Sequence, residues 1–324
     1  MSKPTLVMPG PMMAMIMRQL DDAFNVVRLW EAEDRDAAIA AVAAKVEAIA
    51  TAGHMPITSE LMDKLPQLRI VANMGVGYDT IDAQAADARG IIVTNTPDVL
   101  SDEVADTTIG LLLMTIRELS RAERYLREGR WVGEGHYPLT KASLQNRTVG
   151  IIGLGRIGKA IAQRLEGFGR AIHYHGRRAQ ADVSYTYHGD LIAMADTVDT
   201  LIAITPGGEG TRHLVNADVL RALGSNGIFI NVARGSVVDQ DALITALQDG
   251  TIYAAGLDVF ADEPNVPEAL LALDNVVVLP HVASASVHTR DLMGQLVVDN
   301  LLALKADKAP ISPVVETPFK GWKG

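Results

Sequence analysis

Thr148-Val149-Gly150-Ile151-Ile152-Gly153-Leu154-Gly155-Arg156-Ile157-Gly158, continued by Lys159-Ala160-Ile161-Ala162-Gln163-Arg164-Leu165, is the stretch on which the fold turns. The apolar run 148–152 reads as a strand and 159–165 as a helix, so the glycines at 153, 155 and 158 fall in the turn between them. A tight glycine turn there lets backbone N–H groups and a helix N-terminus approach a pyrophosphate. G-x-G-x-x-G alone is a weak signal, and the strand before it and helix after it give it meaning. Its position is unusual, because such a fingerprint usually opens its domain and here about half of a 324-residue chain comes first. A second domain is therefore expected ahead of it, with the functional site in a cleft between the two.

Length and composition agree with two domains. Hydrophobic residues make up 48% and charged residues 21% of the chain, enough for each domain to bury a core. With 29 Lys+Arg against 39 Asp+Glu the formal charge is −10, which argues against a nucleic-acid surface but leaves room for a local basic spot. Cysteine is absent, so disulfides, thiolate metal sites and a cysteine nucleophile are excluded. Met12-Met13-Ala14-Met15-Ile16-Met17 follows Pro9 and Pro11 and precedes Asp21-Asp22, with no small-residue cleavage site; it reads as a buried or interface helix rather than a signal peptide. No apolar run approaches the ~20 residues a membrane span needs. No membrane is expected, and the cytoplasm is the expected compartment.

Before the glycine turn, short apolar strands alternate with helical segments. Strands are expected at 5–8, 26–30, 45–50, 69–72 and 91–93, with helices at 36–44 and 81–89. Asp102 to Glu128 reads as one long amphipathic helix. After the turn, strands are expected at 171–174, 200–204, 228–231, 253–257 and 276–279, with a last long helix over 287–304. The tail Pro310-Ile311-Ser312-Pro313-Val314-Val315 looks strand-like and is expected to return to the first domain. The alternation implies an α/β protein with two doubly wound, Rossmann-like parallel sheets. Residues 1–100 and 288–324 are expected to form a discontinuous substrate domain, and 101–287 the dinucleotide-binding domain.

Three segments past the turn place a polar group at the end of an apolar strand, where doubly wound sheets bind ligands. Ile230-Asn231-Val232-Ala233-Arg234-Gly235 ends in a guanidinium. Gly256-Leu257-Asp258-Val259-Phe260-Ala261-Asp262-Glu263-Pro264 brings carboxylates, among which Asp262 competes with Glu263 for the same role. Val278-Leu279-Pro280-His281-Val282-Ala283-Ser284 brings an imidazole. Arginine, glutamate and histidine together suit reduction of a 2-keto acid. A guanidinium can fork onto a carboxylate and a carbonyl oxygen, an imidazolium can protonate the alkoxide, and a glutamate can orient the ring and raise its pKa.

This ordered set resembles the D-isomer-specific 2-hydroxyacid dehydrogenase family over nearly the full length. The resemblance rests on the glycine motif, Asn231–Gly235 with Val238-Asp239, Gly256–Phe260 with Glu263-Pro264, and Leu279-Pro280-His281. Val71-Ala72-Asn73-Met74-Gly75-Val76-Gly77-Tyr78-Asp79 matches as well, and within the family the motifs look most like glyoxylate and hydroxypyruvate reductases. It implies Arg234 for substrate binding, His281 as acid/base and Glu263 as its partner. The N–H groups of Val76 and Gly77 are implied for the substrate carboxylate, which suits a glycine-rich backbone nest. Cofactor contacts are implied at Gly153, Leu154, Gly155, Arg156, Ile157 and Gly158, at Thr205, Pro206, Val232 and Ala233, and at Asp258, His281 and Ser284, with Asp258 on the nicotinamide carboxamide. A homodimer is implied too, with Trp131 in the segment that forms a dimer arm in relatives. Asp106 stands where relatives often carry Glu, with little consequence expected.

The end of the second strand of the dinucleotide domain carries the choice of cofactor. NAD sites place an acidic residue there for the ribose 2′-hydroxyl. Here the segment reads Tyr174-His175-Gly176-Arg177-Arg178, with Gly176 in the acidic position and two cations following. NADP(H) is therefore expected, with NAD(H) as the alternative cofactor. His173 and His175 share one strand face, but no third ligand follows at usable spacing, so no metal site is expected. Two other readings stay open: an NAD-dependent dehydrogenase of another 2-hydroxy acid, and a corepressor-like binding module of the same fold, which the lack of a long disordered tail disfavours.

Overall fold

The structure is a computed structural model and describes residues 3–53 and 55–322. Two compact units form, one from 1–100 with 286–324 and the other from 101–285. In the first, strands β1 (Thr5–Met8), β2 (Asn25–Arg28), β3 (Val46–Thr51), β4 (Ile70–Asn73) and β5 (Ile92–Thr94) form a parallel sheet in the order β2-β1-β3-β4-β5. Every residue of β4 is buried, as expected of a parallel strand covered on both faces. The expected second strand stops at Arg28, because Leu29–Glu31 closes into a 3₁₀ turn. The methionine-rich segment becomes helix Ala14–Ala23, with Ile16 and Leu20 fully buried. The tail returns to β5 as a single antiparallel bridge between Pro313 and Thr94, flanked by Val314 N–H on Val93 O at 2.9 Å. Pro313 has no N–H to donate, which keeps the bridge from growing into a strand.

The second unit holds seven strands, β6 (Thr148–Ile152), β7 (Ala171–His175), β8 (Thr186–His188), β9 (Thr200–Ala203), β10 (Ile228–Asn231), β11 (Ala254–Leu257) and β12 (Val276–Val278), all parallel. Their order is β12-β11-β10-β9-β6-β7-β8. The chain winds one way from β6 to β8 and the other way from β9 to β12, so the switch point lies between β6 and β9, beside the glycine turn. The two doubly wound α/β sheets anticipated from the sequence are present. Strand β8, a polar Thr-Tyr-His, was not anticipated, because it carries no apolar run.

The single long helix expected over 102–128 is two helices, Ser101–Ile116 and Leu119–Arg127. Glu118 between them is left-handed, with φ of 53°. Thr115 Oγ1 bonds back to Leu111 O at 2.7 Å, a bond that competes with regular helix near its end. Tyr253 and Tyr137 hydroxyls donate to the Glu118 carboxylate at 2.8 and 2.9 Å and hold the break in place.

Candidate active site

The glycine turn is built by close approach. Gly153 has φ of +99°, and a Cβ there would lie 2.9 Å from Ile204 O; at Gly158 it would lie 2.2 Å from Gly153 O. These two glycines let helix 156–167 and the chain after β9, including Thr205 and Pro206, close on the turn. Gly155 is different: a Cβ there meets nothing within 4 Å, and no side chain caps the helix that it starts. A bare backbone and an uncapped helix N-terminus are what a pyrophosphate requires.

Beyond β7 the chain runs irregularly from 176 to 185. Arg177 and Arg178 are exposed, and neither enters an ion pair among the described residues. No carboxylate takes the Gly176 position. These features fit a dinucleotide bearing a 2′-phosphate. On β7, His173 and His175 do share a face and turn to β8: His173 Nδ1 is 2.8 Å from His188 Nε2, and His175 Nδ1 is 3.0 Å from His188 O. His188, given no role from the sequence, is the partner of both. Among the described residues no three His, Cys, Asp or Glu side chains are grouped to hold a metal.

The ends of β10, β11 and β12 are tied into one scaffold. Fully buried Asn231 accepts the Ala233 N–H at 3.1 Å and donates to Arg234 O at 3.1 Å, shaping the loop that carries Val232, Ala233 and Arg234. Gly235 seats that loop on the next, since a Cβ there would lie 1.8 Å from Phe260 O. The half-buried Arg234 donates from Nη1 to Ala233 O at 2.7 Å. Asp258, 1% exposed, accepts the N–H groups of Val282 and Ala283 at 2.7 and 3.0 Å, and its own carbonyl accepts the His281 N–H at 2.9 Å. Burial pushes the Asp258 carboxyl up from its ordinary value, against the pull of those two N–H groups. The loop from His281 through Ser284 is thereby fixed to β11, with His281 held at a left-handed φ of 53°.

Glu263 and His281 meet within this scaffold. Glu263 Oε2 lies 2.7 Å from His281 Nδ1, while Oε1 accepts the Phe260 N–H at 3.0 Å. Burial pushes the Glu263 carboxyl up, but the His281 ring, the Phe260 N–H and the charges of His281 and Arg234 outweigh it, so the group sits below its ordinary value. Asp262 is excluded from the pairing; it accepts from Asn265 at 3.2 Å. An apolar cavity of about 240 Å³, lined by Phe260, Pro264, Val266, Leu271, Val278 and Leu279, adjoins the pair. With Nδ1 engaged, Nε2 is the ring atom left to exchange a proton.

In the first unit, the loop after β4 is organised by asparagines. Asn73, 3% exposed, donates to Gly75 O at 3.2 Å and to Gly77 O at 2.9 Å, while Asn95 donates to Val76 O at 2.8 Å. The Thr96 N–H also reaches Gly75 O, at 3.0 Å. In a trans peptide the N–H points opposite to the C=O. The carbonyls of Gly75, Val76 and Gly77 are thus all engaged, and the N–H groups of Val76, Gly77 and Tyr78 lie on the opposite edge of each of those peptides. The Tyr78 hydroxyl donates to Glu316 at 2.9 Å; burial and that carboxylate push the phenol up to about 12. Asn73 and Asn95 were not singled out from the sequence, although an amide at the end of a buried strand, before a glycine run, was a usable signal.

The sheet order, the glycine turn at its switch point and the Glu263–His281 pair at strand ends of the same sheet define a dinucleotide-dependent oxidoreductase. Residues 109–283 match the model of the D-isomer specific 2-hydroxyacid dehydrogenase NAD-binding domain. The chain belongs to the D-isomer-specific 2-hydroxyacid dehydrogenase family, as its motifs had suggested. It is 42% identical over 310 residues to a glyoxylate/hydroxypyruvate reductase of Arabidopsis thaliana, covering 96% of this chain and 98% of that one. It is 41% identical over the same length and shares to a hydroxyphenylpyruvate reductase of Plectranthus scutellarioides. Among solved structures, it resembles an NADPH-dependent glyoxylate/hydroxypyruvate reductase of Sinorhizobium meliloti in complex with NADP and malonate. That likeness has a TM-score of 0.94 and 55% identity over 98% of both chains.

Proposed function

We propose that the protein reduces small 2-keto acids, glyoxylate and hydroxypyruvate foremost, to D-2-hydroxy acids, with NADPH supplying the hydride when bound. The observation that carries this reading is the Glu263–His281 pair, 2.7 Å apart, on the sheet that also holds the glycine turn. Gly153 to Gly158 and the helix N-terminus after them would hold the pyrophosphate. Arg177 and Arg178 would hold the 2′-phosphate, beside Gly176. Thr205, Pro206, Val232, Ala233, Asp258 and Ser284 would line the rest of the dinucleotide.

On the substrate side, the N–H groups of Val76 and Gly77 would donate to the substrate carboxylate. Arg234 supplies a planar fork for the carboxylate and the keto oxygen. His281, charged and held through Nδ1 by Glu263, donates its Nε2 proton to the oxygen as that oxygen gains negative charge. Glu263 keeps the ring in one orientation through its bond to Nδ1. The relatives' names span hydroxymethyl and aromatic side chains at nearly equal identity, so overall likeness does not fix the substrate's side chain.

The test is turnover of purified protein with glyoxylate, hydroxypyruvate and an aromatic 2-keto acid, each with NADPH and with NADH, followed by chiral assay of the product. D-2-hydroxy acid formed fastest from the two small acids with NADPH is expected. Failure to oxidise NADPH with either small acid would remove the proposal.

A second copy of the chain is proposed as partner, and the cytoplasm as compartment. Leu119, Leu126, Trp131, Val132 and Leu139 are exposed within one short stretch, Val132 and Leu139 to 97%, an apolar concentration suited to an interface. Light scattering after size exclusion should give twice the 34.7 kDa chain mass, and Val132→Asp with Leu139→Asp should give the single chain. Among the described residues no helix is long and apolar enough to cross a membrane.

A further inference from the structure

We infer that Gln180 is a positioning residue for 2′-phosphate recognition, clasping the segment that carries Arg177 and Arg178 to the glycine turn. The inference rests on the NADPH reading above and adds to it a residue that touches no ligand. Gln180 bonds in two directions. Its Nε2 donates to the Leu154 carbonyl, inside the glycine turn, at 2.8 Å. Its backbone N–H donates to the Tyr174 hydroxyl, on β7, at 2.7 Å. Tyr174 is 1% exposed and Leu154 4%, so both anchors belong to the rigid interior.

The segment needs such an anchor. Residues 176–185 carry no helix or strand, and the two arginines are exposed. Three further ties exist: the Tyr187 hydroxyl on Gly176 O at 3.2 Å, Lys159 on Asp182 at 2.6 Å and the Tyr185 hydroxyl on Glu166 at 3.0 Å. The first lies ahead of the arginines, the second is an exposed ion pair of small energetic value, and the third joins the far end of the segment to the last turns of helix 156–167, away from the glycine turn. Among the described residues, Gln180 alone hydrogen-bonds from the stretch just past the arginines to the turn that would hold the pyrophosphate. It therefore sets the separation between the two phosphate-binding elements, and a fixed separation spares the ordering cost that binding would otherwise meet. Loss of the clasp should release the arginines while leaving the turn, which closes through its own glycines, intact. The effect is confined to ligands that carry a 2′-phosphate.

The experiment is calorimetric titration of the full chain with 2′,5′-ADP and with 5′-ADP, before and after substitution. Gln180→Ala should weaken 2′,5′-ADP about tenfold, a loss of roughly one charge-assisted hydrogen bond, and leave 5′-ADP within about twofold. Tyr174→Phe, which removes the hydroxyl that accepts the Gln180 N–H, should weaken 2′,5′-ADP by less than the alanine change does and likewise leave 5′-ADP within about twofold. Gln180→Met keeps the side chain's length, adds no charge and lacks the N–H donor, so it should reproduce the alanine result without leaving a cavity. Equal weakening of both ligands, or no weakening of either, in these variants overturns the clasp. A wild-type chain that binds 5′-ADP as tightly as 2′,5′-ADP overturns the NADPH reading itself, and the inference with it.

Discussion

His281 Nδ1 lies 2.7 Å from Glu263 Oε2, and both residues are fixed from behind: the histidine N–H on Asp258 O at 2.9 Å, the other glutamate oxygen under the Phe260 N–H at 3.0 Å. The ring cannot turn without breaking the pair, so Nε2 is committed to proton exchange. His281→Ala should slow reduction by about 10²–10⁴-fold, the range for a general acid–base group. Glu263→Gln should slow it less, because the amide can still meet Nδ1 but holds the ring less firmly than the carboxylate does. Initial rates of NADPH oxidation check both, and an unchanged rate in His281→Ala would remove this proton path.

The same pair makes a prediction about stability. The Glu263 carboxyl is held below its ordinary value, so its contribution is present above the ordinary glutamate range and is lost as pH falls through the folded value. Melting temperature of the wild type should fall in that acid window more steeply than that of Glu263→Gln, and the two curves should run parallel at neutral pH. Parallel curves through the acid window would show that the pair carries no linked stability.

Arg234→Lys keeps the charge and loses the planar fork, so kcat/KM for keto acids should fall clearly while NADPH affinity changes little. Fluorescence titration of NADPH beside steady-state kinetics separates the two effects. Lost cofactor binding with intact substrate parameters would reassign the end of β10.

Asn73→Ala frees the Gly75 and Gly77 carbonyls that the amide now gathers at 3.2 and 2.9 Å, and Asn73→Asp sets a carboxylate against them. Either change should let the loop peptides rotate and raise KM for the keto acid, the aspartate by more, with NADPH affinity unaltered. A neutral keto ester, which lacks the carboxylate the N–H groups are proposed to hold, should lose less than the acid. Equal losses would mean that Asn73 only stabilises the fold.

Much of this was legible in the chain because strand-forming runs of Val, Ile and Leu end at chemically distinctive residues. Asn231, Asp258 and Leu279 each close or follow an apolar run, so the strand ends that carry Arg234, Glu263 and His281 could be located from pattern alone. What periodicity could not show was set by side-chain hydrogen bonds. Glu118 breaks a helix whose apolar pattern runs on unbroken, since the two tyrosine hydroxyls that hold it come from distant positions, 137 and 253. Strand β8 forms from three polar residues because β7 supplies its ladder. The choice between Asp262 and Glu263 was decided by which carboxylate the turn brings to His281, a matter of geometry and not of residue type.

Cofactor preference is open to a clean exchange, because the position concerned is sterically free. A Cβ at Gly176 meets nothing within 4 Å, and Arg177 and Arg178 are exposed and enter no ion pair among the described residues. Gly176→Asp with Arg177→Ala and Arg178→Ala should therefore cost little stability. Each charge-assisted bond to a 2′-phosphate is worth roughly 1.5–3 kcal/mol, so two arginines in the proposed role should favour NADPH by about a hundredfold after allowance for exposure. The triple variant should reverse that preference by restoring a ribose-binding carboxylate and removing the phosphate ligands. Gly176→Asp alone should already harm NADPH, through repulsion of a group carrying nearly two negative charges. In the unmodified enzyme, added salt should weaken NADPH more than NADH, since the discriminating contacts are solvent-exposed and screened. kcat/KM for both cofactors, at low and high salt, decides the matter, and an NADH preference in the unmodified enzyme would show that the two arginines are solvated surface charges with no phosphate to hold.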